Sequence, residues 1–407
     1  MVDSAPIVTL RRVFGVLVVF STVRFMLYGW VDCQIVDPVL TFPFVDWVPR
    51  PNRLFAYLTF LTMIISGIAI IKGSRVGAFV FCLAFTYIEL LDKSNYLNHY
   101  YFVSIIALML SVLPGNDASK KVPSYVLFTL RFLLAVVYFY AGIAKLNYDW
   151  IVEAQPLSIW LPQHSSLPLI GKLFTYRETA YAFSWASALF DLSAPFFMFS
   201  NKWRKYFYPI LILFHVITWT LFPIGVFPWV MITCTTVFFP VETHRSLWRK
   251  LGLPLQNLTE EVRSTWGVIK PAIYAFLAFQ VIFPMRYLAY SGNLYWHETC
   301  YRFGWRVMLI EKSGWARFFV ENQHGQREEV DLKKYLTPNQ EKMLSTQPDL
   351  ILQFADFIVE QYDEEVGVYA EVYVSLNGRR SRIFIDPNRE LSTIEDSWSP
   401  RDYVMPF

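Results

Sequence analysis

Long apolar runs recur at short intervals over about the first 290 residues, and they constrain the fold more than any other feature. Runs of this kind predict helices that cross the hydrocarbon core of a bilayer. Only 17% of the residues are charged, against roughly 25% in soluble domains, and the deficit is concentrated in this part. The sequence therefore predicts a polytopic α-helical membrane protein.

We predict about nine spans. Their approximate limits are 11–30, 54–71, 76–91, 97–113, 125–145, 181–200, 207–223, 225–240 and 267–285. The first run is not followed by a small-residue cleavage site, so it is interpreted as a true span and not as a cleavable signal peptide.

Clusters of basic residues precede the first predicted span and recur in every second loop after it, whereas the intervening loops are poor in Lys and Arg apart from Arg50, Arg53 and the long 146–180 loop. The clusters are Arg11 with Arg12, Lys72 with Arg75, Lys120 with Lys121, Lys202 with Arg204 and Lys205, and Arg245 with Arg249 and Lys250. The positive-inside rule places this side in the cytoplasm. We therefore expect a cytoplasmic N-terminus and an extracytoplasmic location for everything after about Met285.

The chain changes character after residue 285. An alternating stretch from Val368 to Leu376, an Asn377-Gly378 turn and a second stretch over 381–385 predict a β-hairpin. Residues 337–363 are predicted to be helical. We expect a transmembrane catalytic domain over 1–285 and an extracytoplasmic α+β domain with a small sheet over 286–407.

Ionisable residues inside spans are costly and usually mark a function or a structural partner. The candidates are Arg24, Glu89, Asp92, Lys93, His99, Arg131, Lys145, Asp191 and His215. Lys145 lies where an apolar helix that starts at about Tyr125 should end. An amine against hydrocarbon tends to lose its proton and becomes a base, whereas a lysine at a helix end also reaches headgroups. Both interpretations of Lys145 stay open from the residues alone.

The other candidates have structural interpretations as well. These are an ion pair of Arg24 with Asp191 or Glu89, a loop ion pair of Asp92 with Lys93, a helix cap at His99, headgroup contact at Arg131 and a hydrogen-bonded core position at His215. Alternatively, an outward-opening cavity collects most of these side chains.

Several chemistries lack their motifs. The chain has no HxxxH set, no DDxxD pair, no glycine-rich phosphate loop and no GxSxG elbow. Its four cysteines are scattered, and whether Cys33 and Cys300 form a disulfide stays open from the sequence. A net charge of +3 gives no indication of nucleic-acid binding. We expect no metal and no nucleic acid, and chemistry based on an amine, imidazoles and an organic cofactor from the bilayer.

Several short motifs, in order, resemble the vitamin K-dependent gamma-glutamyl carboxylase family. They are Leu90-Leu91-Asp92-Lys93-Ser94, Asn98-His99, Tyr140-Ala141-Gly142, Lys145-Leu146-Asn147-Tyr148-Asp149-Trp150, Phe190-Asp191-Leu192-Ser193-Ala194, Phe214-His215, Pro223-Ile224-Gly225, Tyr301, Trp305-Arg306-Val307-Met308, Ile383-Phe384-Ile385-Asp386-Pro387 and Trp398-Ser399-Pro400. The resemblance covers nearly the whole chain. The chain is compact and in this respect resembles bacterial members of the family. This resemblance favours a bacterial inner membrane over the endoplasmic reticulum.

Members of this family oxygenate reduced vitamin K with O2 to an epoxide, remove a γ-proton from a peptidyl glutamate and add CO2 to it. The resemblance implies that Lys145 is the initiating base, that His99 assists it, and that His215 and Tyr301 belong to the catalytic region. It also implies a glutamate-containing peptide substrate and an upstream quinone reductase. The residues expected to bind the quinol are Asp92, Lys93, Asn98, Trp150 and Asp191.

One departure from the family bears on the substrate. Animal members have an arginine shortly after the motif that corresponds to Lys145-Leu146-Asn147, and residues 157–164 here contain none. A quinol epoxidase or quinone-binding relative without glutamate carboxylation is therefore the second hypothesis. The third is a non-enzymatic assembly or transport protein in which Lys145, Asp191 and Arg24 form a buried charge cluster.

Overall fold

The computed structural model describes residues 1–252, 260–261, 269–397 and 399–407, and Trp398 of the Trp398-Ser399-Pro400 motif lies outside them. The apolar part is helical. Its α-helices are α1 (Ala5–Leu27), α2 (Arg53–Ile71), α3 (Arg75–Leu90), α4 (Asn98–Val112), α5 (Ser124–Lys145), α6 (Tyr148–Ile151), α7 (Leu157–Trp160), α8 (Arg177–Phe199), α9 (Arg204–Leu221), α10 (Phe227–Thr235), α11 (Val241–Lys250) and α12 (Ile269–Ile282).

Each of the nine predicted spans coincides with a helix where the structure describes it. Five helical segments among the described residues are long and apolar enough to cross a bilayer. They are Ala5–Leu27, Arg53–Ile71, Ser124–Lys145, Arg177–Phe199 and Ile269–Ala289. Asn98–Val112 and Phe227–Phe238 are shorter apolar helices. A helical membrane protein is thus confirmed, whereas the number nine stays a prediction.

The region after residue 285 contains a sheet with helices on it. Its elements are α13 (Leu294–His297), β4 (Lys312–Glu321), β5 (Arg327–Glu329), α14 (Pro338–Leu344), α15 (Pro348–Val359), β6 (Gly367–Leu376) and β7 (Arg382–Ile383). The antiparallel order is β5-β4-β6-β7, and Phe318 faces Ala370 across the central pair. Every second residue of β6 is buried, and these side chains pack with α15 in one core.

The predicted hairpin is present, because β6 pairs with β7 around the Asn377-Gly378 turn. The helix predicted over 337–363 is confirmed for most of the stretch, with one interruption. Two helices, α14 and α15, occupy that stretch, and Gln347 between them is extended. Pro348 explains the break, because proline disfavours helical backbone in the residue before it.

Two contact regions mark opposite ends of the helical part. At one end, a small sheet joins β1 (Val2–Asp3), β2 (Lys120–Val122) and β3 (Glu260–Glu261), which precede α1, α5 and α12. At the other end, the C-terminal region contacts the loops that follow α1, α3 and α5, for example through Gln353 to the Pro43 carbonyl and Asn377 to Asp149. The N-terminus and the C-terminal region therefore lie at opposite ends.

Candidate functional site

The chain turns sharply after Lys145, the last residue of α5. The carbonyl of Ala144 accepts hydrogen bonds from Asn147 Nδ2 at 2.8 Å and from the Tyr295 hydroxyl at 2.7 Å. Asn147 Oδ1 then accepts from the Trp150 backbone N–H at 3.0 Å and caps α6. These bonds satisfy helix-end groups that would otherwise be unpaired, and they fix the position of Lys145.

Lys145 forms an ion pair with Asp191, which lies in the middle of α8. The two residues are only 7% and 4% exposed. Gly142, one turn before Lys145, allows α5 and α8 to approach, because a Cβ at this position would lie 2.7 Å from the backbone nitrogen of Leu192. The carboxylate of Asp191 forms an ion pair with the Lys145 amine and so partly offsets the cost of burying its charge away from water.

The pair lies in the wall of a cavity of about 460 Å³, which is within the range of about 300–1,000 Å³ found for small-molecule sites. The cavity is formed by α5, α8, α9, the start of α10, the segment around α7, and Val307 and Met308 of the C-terminal region. Most of the wall is aliphatic or aromatic. The side chains with polar atoms are Tyr138, Lys145, Trp150, Trp160, Ser187, Asp191, His215 and Thr218.

Tyr138 is a site residue that the sequence analysis missed. Its hydroxyl is hydrogen-bonded to His215 Nε2 at 2.8 Å, and both side chains are buried in the cavity wall. Tyr138 precedes Lys145 by seven residues, which is about two helical turns or roughly 10 Å along one face of α5. This seven-residue spacing is the sequence signal that could have identified Tyr138 as a neighbour of Lys145 on the same face of α5. Helix α5 therefore contributes two polar side chains to the cavity, Tyr138 and Lys145, about two helical turns apart.

Trp150 packs beside the ion pair. Its ring centroid lies 5.5 Å from Lys145 Nζ, and its indole N–H donates to the Ser184 carbonyl at 2.9 Å. The Ser184 hydroxyl donates back to the Trp150 carbonyl. Trp150 is therefore held against α8 and forms a rigid aromatic wall next to the amine.

His99 lies behind the cavity wall and not in it. Its ring stacks on Phe227, a lining residue, with centroids 4.8 Å apart. It does not cap α4, because the residue at the cap position is Leu97. Asn98 donates to the Arg306 carbonyl at 2.6 Å and so ties α4 to the C-terminal region. Tyr301 is also outside the lining and packs edge-on against Tyr295.

Asp92 and Lys93 do not pair with each other. Asp92 accepts from the Ser94 backbone N–H at 2.8 Å and from Gln340 Nε2 at 2.9 Å. Lys93 Nζ lies 3.8 Å from Asp349 and 3.7 Å from Asp396. Both residues join the α3–α4 loop to the C-terminal region, away from the cavity that holds Lys145.

The carboxylate that meets Lys93 belongs to a wider charge network. Asp349 also pairs with Arg302. Burial alone raises the pKa of Asp349, but the nearby positive charges of Arg302, Arg401 and Lys93 outweigh it and hold this pKa below its usual value. Asp349 therefore stays ionised, and it links the helical part to the C-terminal region electrostatically.

Three other features are absent among the described residues: a metal site, a disulfide between Cys33 and Cys300, and an ion pair of Arg24 with Asp191. No group of three or more His, Cys, Asp or Glu side chains there is arranged to hold a metal ion. Cys33 and Cys300 are both free thiols, so the disulfide considered from the sequence is not formed. Arg24 does not pair with Asp191, and its Nε is buried without a hydrogen-bond partner.

Family comparisons agree with the geometry. Residues 1–242 match the HTTM domain family, and residues 267–407 match the family described as the lumenal domain of vitamin K-dependent gamma-carboxylase. The predicted boundary between residues 285 and 286 stays a prediction. No solved structure gives a significant match. The two matches occur in order and leave only residues 243–266 between them, and this chain therefore belongs to the vitamin K-dependent gamma-carboxylase family.

Proposed function

We propose that the protein is a vitamin K-dependent gamma-glutamyl carboxylase homologue, and that its cavity binds a reduced vitamin K-type quinol. The observation that carries this proposal is the ion pair of Lys145 and Asp191 in the wall of an apolar, aromatic-lined cavity. When bound, such a quinol supplies, together with O2, the strong base that deprotonates a peptidyl glutamate before CO2 adds to it. Residues of the chain remove the proton from the quinol oxygen and hold the quinol ring in place.

Lys145 and Asp191 act together as the initiating base. Whichever of the two holds the shared proton, the pair accepts one more and becomes an ammonium beside a neutral carboxylic acid. Its net charge of +1 then offsets the negative charge left on the substrate oxygen. Because the surroundings are apolar, this compensation is stronger than it would be in water.

Tyr138 and His215 hold the opposite end of the ring. His215 uses Nε2 for Tyr138, and its ring makes no second hydrogen bond to a described residue, so Nδ1 is available to a substrate oxygen. Trp150 supplies an aromatic wall beside the amine. We place His99 as an assisting residue that positions Phe227, and we propose that Asn98, Asp92, Lys93 and Tyr301 act through the packing of the C-terminal region.

The peptide glutamate approaches from the end of the bundle that carries the C-terminal region. Val307 and Met308 of that region line the cavity, so a peptide docked on this region would lie next to the quinol. The basic clusters in the loops of the opposite end support a cytoplasmic N-terminus. We propose that the C-terminal region is extracytoplasmic and that the membrane is a bacterial inner membrane.

One observation favours quinol epoxidation without carboxylation as a second candidate. Lys145 is the only cation among the described residues that line the cavity, and no arginine is present there to hold a substrate carboxylate. The two candidates share the quinol chemistry and differ only in whether a glutamate is carboxylated after it.

A two-product assay tests both candidates. The purified protein is incubated with reduced vitamin K, O2, labelled CO2 and a glutamate-containing peptide, and both the epoxide and the incorporated label are measured. Epoxide with label supports carboxylation, and epoxide without label selects the second candidate. If no epoxide forms above the level of a control with heat-denatured protein, both candidates fail.

A further inference from the structure

A second cavity lies between the helical part and the C-terminal region, and we call it the junction pocket. Its volume is about 290 Å³, and it shares no lining residue with the cavity that holds Lys145. The loop after α1, the α3–α4 loop and the start of α14 form its walls. The lining side chains that carry an amide, a hydroxyl or a carboxylate are Gln34, Asp92, Asn95, Thr337, Asn339 and Gln340.

Asp92 is the only acidic or basic residue in the described lining of the junction pocket. It is 5% exposed, and its carboxylate accepts from the Ser94 backbone N–H and from Gln340 Nε2. Burial raises the pKa of the Asp92 carboxyl, although these hydrogen bonds oppose the rise. The neighbouring Lys93 pairs with two other carboxylates. Asp92 is therefore a buried acid without an ion-pair partner among the described residues.

Gln340 fixes the orientation of this carboxylate. The Gln340 side chain is also buried, and its Nε2 donates both to Asp92 at 2.9 Å and to the Leu40 carbonyl at 2.8 Å. Its Oε1 accepts from the Thr337 backbone N–H at 3.0 Å. Because both ends of the amide are held, the Asp92 carboxylate has a fixed position in the pocket before any ligand binds.

The junction pocket opens at the protein surface. Cys33, Pro338 and Asn339 line it and are exposed. Asn339 Nδ2 donates to Asn95 Oδ1 at 3.3 Å, and the side-chain amide of Gln34 forms no hydrogen bond to another described residue. The pocket therefore offers amide oxygens as well as a carboxylate to a ligand that donates hydrogen bonds.

We propose that the junction pocket binds the guanidinium or ammonium group of a basic side chain of a polypeptide. The charge of Asp92 disfavours an anion, and an apolar group would leave the buried carboxylate without compensation. A guanidinium or ammonium group donates several hydrogen bonds and neutralises a carboxylate. The methylene stem of an arginine or lysine packs on Trp30 and Pro38, which complete the wall. The inference does not depend on the quinol chemistry.

The position and size of the junction pocket favour a side chain over a free cation. The exposed lining residues belong both to the helical part and to the C-terminal region, so the chain on either side of a bound side chain lies along the junction. The volume of about 290 Å³ is near the lower end of the range of about 300–1,000 Å³ for small-molecule sites. This volume suits one long side chain.

Cys33 allows the occupancy of the junction pocket to be measured, because it is exposed whereas Cys82 and Cys234 are buried. In purified protein that carries Cys300→Ser, a neutral methanethiosulfonate reagent modifies Cys33, and a bound ligand slows this reaction. The ligands are N-acetyl-Gly-Arg-Gly-amide, the same peptide with citrulline in place of arginine, and spermidine. Citrulline keeps the shape of arginine but removes its charge. Intact mass follows the reaction in detergent.

We expect the arginine peptide to protect Cys33 at a concentration about tenfold lower than the citrulline peptide requires, which corresponds to roughly 1.4 kcal/mol. Asp92→Asn is expected to abolish this difference, because it removes the charge and retains the shape. The matched control is Asp46→Asn, at an exposed acid between α1 and α2 that does not line the pocket, and it is expected to preserve the difference. If Asp92→Asn does not fold, Gln34→Ala is expected to weaken protection by the arginine peptide about threefold.

Three results contradict the inference. Equal protection by the arginine and citrulline peptides, or no protection by either, means that the pocket does not recognise positive charge. A difference that persists in Asp92→Asn means that the charge is recognised elsewhere. Stronger protection by spermidine than by the arginine peptide supports the cation site and overturns the polypeptide side chain as its occupant.

Discussion

Lys145 at the end of α5 and Asp191 in the middle of α8 form a buried ion pair although 46 residues separate them in the chain. Removing one member of a buried pair leaves an uncompensated charge and typically costs about 3–5 kcal/mol. This relationship makes stability and catalysis hard to separate with single substitutions, but a double substitution separates them.

We expect Lys145→Ala to lower both thermal stability and epoxide formation, because Asp191 loses its partner. The double variant Lys145→Ala/Asp191→Asn removes both charges and is expected to recover most of the stability but none of the epoxide formation. Thermal unfolding in detergent and epoxide yield from reduced vitamin K measure the two properties.

The two functional interpretations of Lys145 give different results in this experiment. A purely structural ion pair predicts that the double variant regains activity along with stability. Turnover of the quinol by the double variant at the rate of the unmodified protein would therefore show that Lys145 is not the base.

Tyr138→Phe removes the hydroxyl that is bonded to His215. A hydrogen bond of this kind contributes about 0.5–1.5 kcal/mol, so we expect KM for the quinol to rise about three- to tenfold while kcat changes less. His215 then loses the hydrogen bond that orients its imidazole toward the substrate ring. The Lys145–Asp191 pair stays intact.

Tyr208→Phe is the matched control for Tyr138→Phe. Tyr208 is a tyrosine on α9 whose hydroxyl donates to the Ile232 carbonyl at 3.0 Å, and it does not line the cavity. We expect its KM to match that of the unmodified protein. Equal kinetic changes in both variants would mean that Tyr138 acts through packing alone.

The sequence predicted helices and turns well because these depend on local patterns. The apolar runs coincide with helices, and the Asn377-Gly378 turn lies where the hairpin was expected. Pairing depends on three-dimensional packing, which periodicity does not specify. Lys93 therefore pairs with Asp349 and not with its neighbour Asp92.

The same limit applies to the site. Apolar periodicity shows which face of α5 is buried but not that Asp191 of α8 and His215 of α9 converge on it. Tyr138 was missed because a tyrosine in an apolar run is usually a core residue. The hydrogen bond between Tyr138 and His215 depends on the packing of α5 with α9, which the sequence pattern does not specify.

The orientation in the membrane is testable with a native cysteine. Cys33 is exposed in the loop after α1, whereas Cys82 and Cys234 are buried. If the C-terminal region is extracytoplasmic, a membrane-impermeant maleimide is expected to label Cys33 in intact cells. The protein carries Cys300→Ser in this experiment, because Cys300 is half-buried at the same end.

Ser246 provides the control for the opposite end. It is exposed on α11, which packs against α1 through a hydrogen bond between His244 and Thr9. In a Cys33→Ser/Cys300→Ser background, Ser246→Cys is expected to react only after the cells are permeabilised. The reverse labelling pattern would invert the proposed topology.

His297 gives the C-terminal region a predictable pH dependence. Burial, and then the charges of Arg401 and Lys312, lower the pKa of His297 from 6.5 to about 4. Between these two values the unfolded chain binds more protons than the folded one, so the free energy of unfolding decreases as the pH falls. The stability associated with neutral His297 is fully present above pH 6.5 and is lost toward pH 4.

We expect His297→Gln to flatten this part of the curve of unfolding temperature against pH, because glutamine does not titrate. His324→Gln is the matched control, since His324 is an exposed histidine at the β4–β5 turn, and it is expected to leave the curve unchanged. Thermal unfolding followed between about pH 7 and about pH 4 checks both variants. If His297→Gln retains the full pH dependence of the unmodified protein, the acid sensitivity arises from other groups, and the unpartnered Nε2 of His297 has no part in it.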